Sequence, residues 1–410
     1  MRLFNKTRNS FVSIVIIGGS HAGISLAENL RRGGYKNKIT IIEKQKKIPT
    51  EKPPLSKKFL ESTFDEENIK LRKQSWFKDN LIEILLNINS LEVFKHENFV
   101  RLNNKVDINY DYLVIASGAK ANTLPIELAP IEIQNLLRDF NDVKKIKDNL
   151  LDKKHITIIG GGYIGLELAS SLRKADFEVN IIEMSERILQ RVASKELSNF
   201  FTSLHEKNGV KIFYNERLEK IKPLGSAFQI NTSKNKFNTD LILVGIGVTP
   251  EIELAKNIGV SYERGIIVDE NYETSLKNIF AIGDCALNKS EYGIVIESIH
   301  HAQFSASRVS SYILGQSKIK YEEPWFWSDQ FDVKFQSVGL YRPNSETIFR
   351  KGKREGSKSW WSFNNQKLIC VEAINDVQNF SFAKRIFENK ISVNKNQIED
   401  QDFDLKSLIT

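Results

Sequence analysis

The sequence predicts an α/β chain: two Rossmann-like dinucleotide-binding domains followed by a C-terminal α+β domain. Three observations predict it. The chain has 410 residues, roughly two to three times a typical domain, so more than one core is expected. An internal echo runs through it: SIVIIGGSHAGISLAENLRRGG, from Ser13 to Gly34, returns in form as ITIIGGGYIGLELASSLRKADF, from Ile156 to Phe177. From about Glu323 the character changes, with dense aromatics (Trp325, Phe326, Trp327, Phe331, Phe335) and short alternating segments.

Each copy of the echo is a β-branched run, a glycine turn and an amphipathic helix. A second apolar run follows and closes on an acid, Glu43 in ITIIEK and Glu183 in VNIIEM. Unbroken apolar runs of this kind suit strands buried on both faces of a parallel sheet. The strand–helix–strand order makes a right-handed βαβ unit. YLVIASGAKAN (Tyr112 to Asn122) adds a strand and a small-residue turn between the copies. LILVGIGVTP (Leu241 to Pro250), with Gly247 in its turn, is its counterpart, and NIFAIGDCA (Asn278 to Ala286) is a further strand with a turn. WWSFNN and LICVEAIN read as antiparallel strands, and a helix is expected over about 381–389. The expected domains are 1–121 with 250–322, then 122–249, then 323–410. No low-complexity segment or long linker interrupts them.

Composition narrows the function classes. With 41% hydrophobic and 27% charged residues, 22 Gly and 9 Pro, the chain has globular proportions and is not disordered, collagenous or membrane-embedded. The only cysteines are Cys285 and Cys370. A disulfide scaffold, a cysteine zinc site and a CxxC redox pair are therefore excluded. The net charge is +8, from 59 Lys+Arg against 51 Asp+Glu. Because the signs alternate, this reads as a solvated lysine-rich surface rather than a nucleic-acid footprint, and steering of an acidic protein partner is the sharper alternative. Arg2, Lys6 and Arg8 precede an apolar run too short for a signal sequence, and no run of about 18 apolar residues exists to span a bilayer. A cytoplasmic location is expected.

The glycine turns carry the chemistry. A pyrophosphate needs bare backbone N–H groups at a helix N-terminus, which only small residues leave accessible. The second turn has the full spacing, Gly160-x-Gly162-x-x-Gly165. The first is Gly18-x-Ser20-x-x-Gly23, with a small hydroxyl residue in the central place. An acid at the end of the second strand accepts hydrogen bonds from ribose hydroxyls and repels a 2′-phosphate. Glu183 therefore argues for NADH over NADPH, although Arg187 lies close by.

VIIGGSHAG, EKPPLSK (Glu51 to Lys57), VIASGA, IIGGGYIGLELA, VGIGVTP, FAIGDCA and PWFWSDQ (Pro324 to Gln330) together resemble the FAD-dependent ferredoxin reductases of oxygenase systems, over nearly the whole chain. The resemblance implies FAD at the first turn and NADH at the second. Implied FAD contacts are Ala22, Glu43 or its neighbour Lys44, Lys57, Ser90, Arg138, Asp284 and Ile299, besides Gly18, Ser20 and Gly23. The NADH contacts are Gly160, Gly162, Gly165, Glu183 and Gly247. It also implies that Lys57 stands near the flavin and pairs with Glu167, and that the helix opening near Glu297 faces the ring. Hydride transfer is then a matter of proximity, with single electrons leaving to an acidic 2Fe-2S ferredoxin, or to a rubredoxin. Hydride transfer needs no protein base, so His300 and His301 read as packing or helix-start residues. Trp325 and Trp327 are core aromatics or part of the flavin edge. Arg350, Lys351, Lys353 and Arg354 are a solvated hairpin or a docking patch. The alternative function is a flavin- and NADH-binding signalling protein resembling apoptosis-inducing factors. The thiol-dependent relatives need a cysteine soon after the first acid, and 44–60 contains none.

Overall fold

The computed structural model describes residues 12–61 and 64–409. Arg2, Lys6 and Arg8 lie outside the described residues. The chain divides into two compact units. One holds the chain up to Glu51 with Lys70–Ala119 and Pro250–Tyr321. The other holds Lys52–Ile69, Lys120–Thr249 and the chain from Glu322 onward.

The first unit is built on a five-stranded parallel sheet. Its order is Ile279–Ala281, Tyr112–Ile115, Ile14–Ile17, Ile39–Ile42, Ile82–Leu85. Ile14 lies opposite both Ile39 and Tyr112. The strand Ile14–Ile17 is thus the point where the winding reverses, the position at which open α/β sheets hold ligands beyond the carboxyl ends of their strands. The helix His21–Arg32 leaves that end. Its spacing buries Ala22, Ile24, Leu26, Ala27 and Leu30 on one face, and Arg31 and Arg32 close its last turn, where cations favour the helix dipole. It packs on the helix Ile299–Ile313. That helix starts at Ile299 rather than Glu297, because Ser298 is the cap and its hydroxyl accepts from the His301 N–H.

The second unit repeats the design. The order Lys211–Phe213, Glu178–Ile182, His155–Ile159, Leu241–Val244, Asn135–Leu136 is again fully parallel and again reverses at the strand that leads into the glycine turn. A five-stranded antiparallel sheet forms the C-terminal part: Trp325–Gln330, Val333–Gly339, Lys367–Ile374, Lys358–Asn364, Glu346–Lys351. The helix Val377–Glu388 covers it. This helix begins before the expected 381, because Asp376 caps it by accepting from the Asn379 N–H.

The C-terminal sheet forms no compact unit of its own. Phe335, Trp360 and Ile374 share one core with Ile158 of the second parallel sheet and with Leu168 and Phe201 of the helices Tyr163–Lys174 and Lys195–Lys207, and Leu55 and Phe59 join that core. This burial explains why Lys52–Ile69 groups with the second unit, whereas the sequence assigned it to the first.

The basic hairpin needs a correction. Arg350 is neither solvated nor available for docking. It is buried, and its guanidinium donates to the carbonyls of Gln397, Ile398, Asp400 and Phe403 at the end of the helix Lys395–Glu399. Lys351, Lys353 and Arg354 remain exposed.

Candidate dinucleotide sites

In the first unit the turn after Ile14–Ile17 is closed by steric necessity. Gly18 has φ +111°, and a Cβ there would lie 2.1 Å from the Ala116 carbonyl oxygen; a Cβ on Gly23 would lie 2.0 Å from the Gly18 oxygen. Only glycine lets strand, turn and helix approach this closely. Glu43 is buried at the end of its strand. It accepts from the Gly19 N–H at 2.7 Å through one oxygen and from the Gln45 N–H at 2.9 Å through the other. Each oxygen keeps a further lone pair for a ribose hydroxyl. Lys44, one residue on, points outward and is exposed. Ala22 meets the turn that carries Asp284, since a Cβ on Gly283 would lie 3.0 Å from the Ala22 Cβ. Ser90 is exposed in the segment before the strand Leu91–Phe94.

The second unit repeats this geometry. A Cβ on Gly160 would lie 2.4 Å from the Gly245 oxygen, and one on Gly165 would lie 2.2 Å from the Gly160 oxygen. Glu183 accepts from Gly161 N–H at 2.8 Å and Ser185 N–H at 2.7 Å. Around Gly162 the space is open, with nothing within 4 Å of a Cβ. Ser20 stands at the matching place in the first turn and makes no capping bond. The one departure from the glycine spacing therefore falls where a small side chain does not clash. Gly247 has φ +94°, and its carbonyl accepts from the Asn122 N–H at 3.0 Å. Arg187, the residue that blurred the cofactor preference, is committed elsewhere. Its guanidinium donates to the carbonyls of Gln190, Ala193 and Ser194 and to Ser198 Oγ.

Both turns open helices of 12 residues, His21–Arg32 and Tyr163–Lys174. Both also sit where the winding reverses. These cradles fit a dinucleotide pyrophosphate on backbone N–H groups, with a carboxylate for the adenosine ribose.

Lys57 is the last residue of the short helix Pro53–Lys57. Its ammonium lies 3.6 Å from Glu167 Oε1 and 3.1 Å from Asp329 Oδ2, and 5.7 Å from the Trp327 ring centroid. Glu167 is buried on the helix that follows the second turn. Burial raises its pKa, while the Lys57 ammonium and the hydroxyls of Ser328 and Ser56 pull it down. Ser328 donates to it at 2.6 Å, and Ser56 donates to its other oxygen. Arg138 also lies in this unit, before the helix Phe140–Asn149. Its N–H donates to Asp142 Oδ2 and its carbonyl accepts from Lys52 Nζ.

The resemblance implied the Lys57–Glu167 pair, and sequence reasoning missed Asp329, Ser328 and Ser56. PWFWSDQ did hold a signal, since strand alternation puts Ser328 and Gln330 on the buried face and Asp329 outside. Trp325 and Trp327 are each half-buried and pack together, ring centroids 5.4 Å apart, with Trp325 against Phe380. His301 is a core residue between Tyr272 and Tyr292, and burial pushes its pKa down to about 3.

Paired dinucleotide cradles, in a chain whose two cysteines are buried in different units, define a two-dinucleotide fold without a redox disulfide. Residues 12–306 match the pyridine nucleotide-disulphide oxidoreductase family and residues 325–409 the reductase C-terminal family. Rhodocoxin reductase of Rhodococcus erythropolis is 32% identical over 97% of this chain and 94% of that protein. Rubredoxin-NAD(+) reductase of Pseudomonas putida is 32% identical over 89% of this chain and 96% of its own length. The solved ferredoxin reductase for the CYP199A2 system of Rhodopseudomonas palustris is 33% identical, covers 97% of this chain and 100% of its own, and superposes with a TM-score of 0.90. The chain belongs to the pyridine nucleotide-disulphide oxidoreductase family, in its branch of FAD-dependent NAD(P)H:ferredoxin and rubredoxin reductases.

Proposed function

We propose that this protein oxidises NADH and passes the electrons through FAD to a 2Fe-2S ferredoxin that feeds an oxygenase. The observation that carries the donor assignment is the second cradle. Glu183 stands at its rim as an acceptor, while the nearby Arg187 is spent on backbone carbonyls and is not offered to a 2′-phosphate. A ferredoxin fits better than a rubredoxin because the match to the ferredoxin reductase runs through 97% of this chain, against 89% for the rubredoxin reductase. The net charge of +8 favours an acidic partner.

In this reading residues 1–121 and 250–322 serve FAD, 122–249 serve NADH, and 323–410 form the interface part. The bound flavin supplies the conversion of a two-electron hydride donation into single-electron delivery. The N–H groups at Gly18–Gly23 hold the FAD pyrophosphate, Glu43 the adenosine ribose and Asp284 the ribityl chain. Lys57, kept in place by Glu167 and Asp329, is the positive charge that the resemblance assigns to the flavin. Gly160, Gly162, Gly165 and Gly247 let NADH lie against bare backbone. Among the described residues no helix is long and apolar enough to cross a membrane, and we propose that the protein works in the cytoplasm, where NADH is supplied.

The test is a visible spectrum and NADH titration of the purified protein, then turnover with ferricyanide, a 2Fe-2S ferredoxin and a rubredoxin. Flavin bands that bleach with NADH, and ferredoxin turnover that falls with ionic strength, are expected. Protein that stays colourless after incubation with FAD removes the proposal. Fast ferricyanide reduction with no turnover of either iron–sulfur protein favours the signalling alternative.

A further inference from the structure

Glu167 ends a line of buried side chains that its pairing with Lys57 does not require. His205, on the helix Lys195–Lys207, is fully buried, and its Nε2 lies 2.8 Å from Gln330 Oε1. Gln330 Nε2 lies 3.1 Å from Ser328 Oγ, and Ser328 Oγ lies 2.6 Å from Glu167 Oε1. Ser328 and Gln330 are as fully enclosed as His205.

The directions of these bonds follow from one another. With Glu167 ionised, as the Lys57 ammonium 3.6 Å away favours, its carboxylate can only accept, and the one hydrogen of Ser328 goes to it. The serine oxygen must then accept from the Gln330 amide nitrogen, which turns the amide oxygen toward His205. His205 is therefore protonated on Nε2, and its Nδ1 is bare. That Nδ1 meets no hydrogen-bond partner among the described residues. A phenyl ring against Phe331, whose centroid lies 5.1 Å from the imidazole, would fill the same space without burying an unsatisfied acceptor. What the imidazole adds is one N–H aimed along the line. Burial pushes His205 down to about 4, which keeps it neutral with this tautomer at neutral pH.

We propose that His205, Gln330 and Ser328 are positioning residues, a one-way chain of donors ending on Glu167 that holds its carboxyl group ionised beside Lys57. Other groups also face Glu167. Lys57 and Ser56 favour the carboxylate; Asp329, together with burial itself, opposes it. Tyr163, on the same helix, also couples to it. Burial is the largest of these influences and leaves Glu167 raised overall, so each donor that favours the carboxylate bears directly on its protonation state. Any consequence for the flavin rests on the proposed role of Lys57, and the chain itself does not.

The test follows the Glu167 carboxyl stretch by infrared spectroscopy of the holoenzyme across pH, with Glu167→Gln for assignment. His205→Phe is expected to raise the proton affinity of Glu167 about tenfold. His205→Gln, whose amide nitrogen stands in for Nε2, is expected to restore it. Gln330→Met, which keeps the volume, is expected to match His205→Phe and carries the test if that variant fails to fold. An unchanged Glu167 titration in either folded variant overturns the proposal, as does a shift that His205→Gln does not reverse. The flavin midpoint potential of the same proteins separates the two ideas. A Glu167 shift with an unmoved potential upholds the chain and removes the role of Lys57.

Discussion

Replacing Glu183 probes the donor assignment at its most exposed point. In the structure its carboxylate takes one N–H from Gly161 and one from Ser185, so it does two separable things. It pins the turn, and it places a negative charge where a 2′-phosphate would sit. Two unit charges about 4 Å apart interact by about 4 kcal/mol at an effective dielectric of about 20. Glu183 is half-buried, and discounting for solvent and salt leaves about 1–2 kcal/mol, roughly a tenfold discrimination. Glu183→Gln removes the charge and keeps one acceptor for the turn. It is expected to shift the NADH-to-NADPH ratio of kcat/KM about tenfold toward NADPH. Glu183→Ala also removes the ribose acceptor, worth about 1.5–3 kcal/mol for hydrogen bonds to a charged group, and is expected to shift the ratio about a hundredfold, mostly through the KM for NADH. Ferricyanide reduction with each nucleotide is the assay, with flavin content as the control. A ratio equal to that of the unaltered protein in both variants refutes the reasoning.

The other predictions concern packing and titration. Gly23→Ala, whose Cβ would meet the Gly18 oxygen at 2.0 Å, is expected to abolish flavin retention, read from the absorbance ratio of purified protein. Arg350→Met strands the carbonyls at the end of the helix Lys395–Glu399 and is expected to cost about 3 kcal/mol, seen as a lower Tm with ferredoxin kinetics unchanged. Glu372 is wholly buried and burial raises it to about 7. The fold favours its protonated form, so its stabilising contribution is intact below about pH 4.5 and lost as pH rises through 7, about 3 kcal/mol in all. Glu372→Gln should therefore melt higher than the unaltered protein at pH 8, with the gap closing near pH 5. His205, pushed down to about 4, works in the opposite sense. Its contribution is present above about pH 6.5 and lost as pH falls through 4, so His205→Gln should narrow the loss of Tm on acidification.

Features set by neighbours in the chain were legible from the sequence. The two cradles could be read because a glycine turn between a buried strand and a helix is a local demand. Whatever the rest of the protein does, a side chain at Gly18 or Gly165 collides with backbone a few residues away or on the adjoining strand. The same holds for Glu43 and Glu183, since a parallel strand that starts beside the beginning of the first strand must end beside the turn that follows it. Tertiary packing decided the rest. Lys57 and Asp329 are 272 positions apart and His205 and Gln330 are 125 apart, so no local pattern joins them. Arg350 looked like one charge in an exposed run until the carbonyl ends of a later helix arrived around it. Arg187 threatened the cofactor preference on proximity alone, and only the folded loop showed its donors taken. Spacing along a chain fixes which backbone groups must meet, whereas the partner of a long charged side chain depends on which distant surface folds over it.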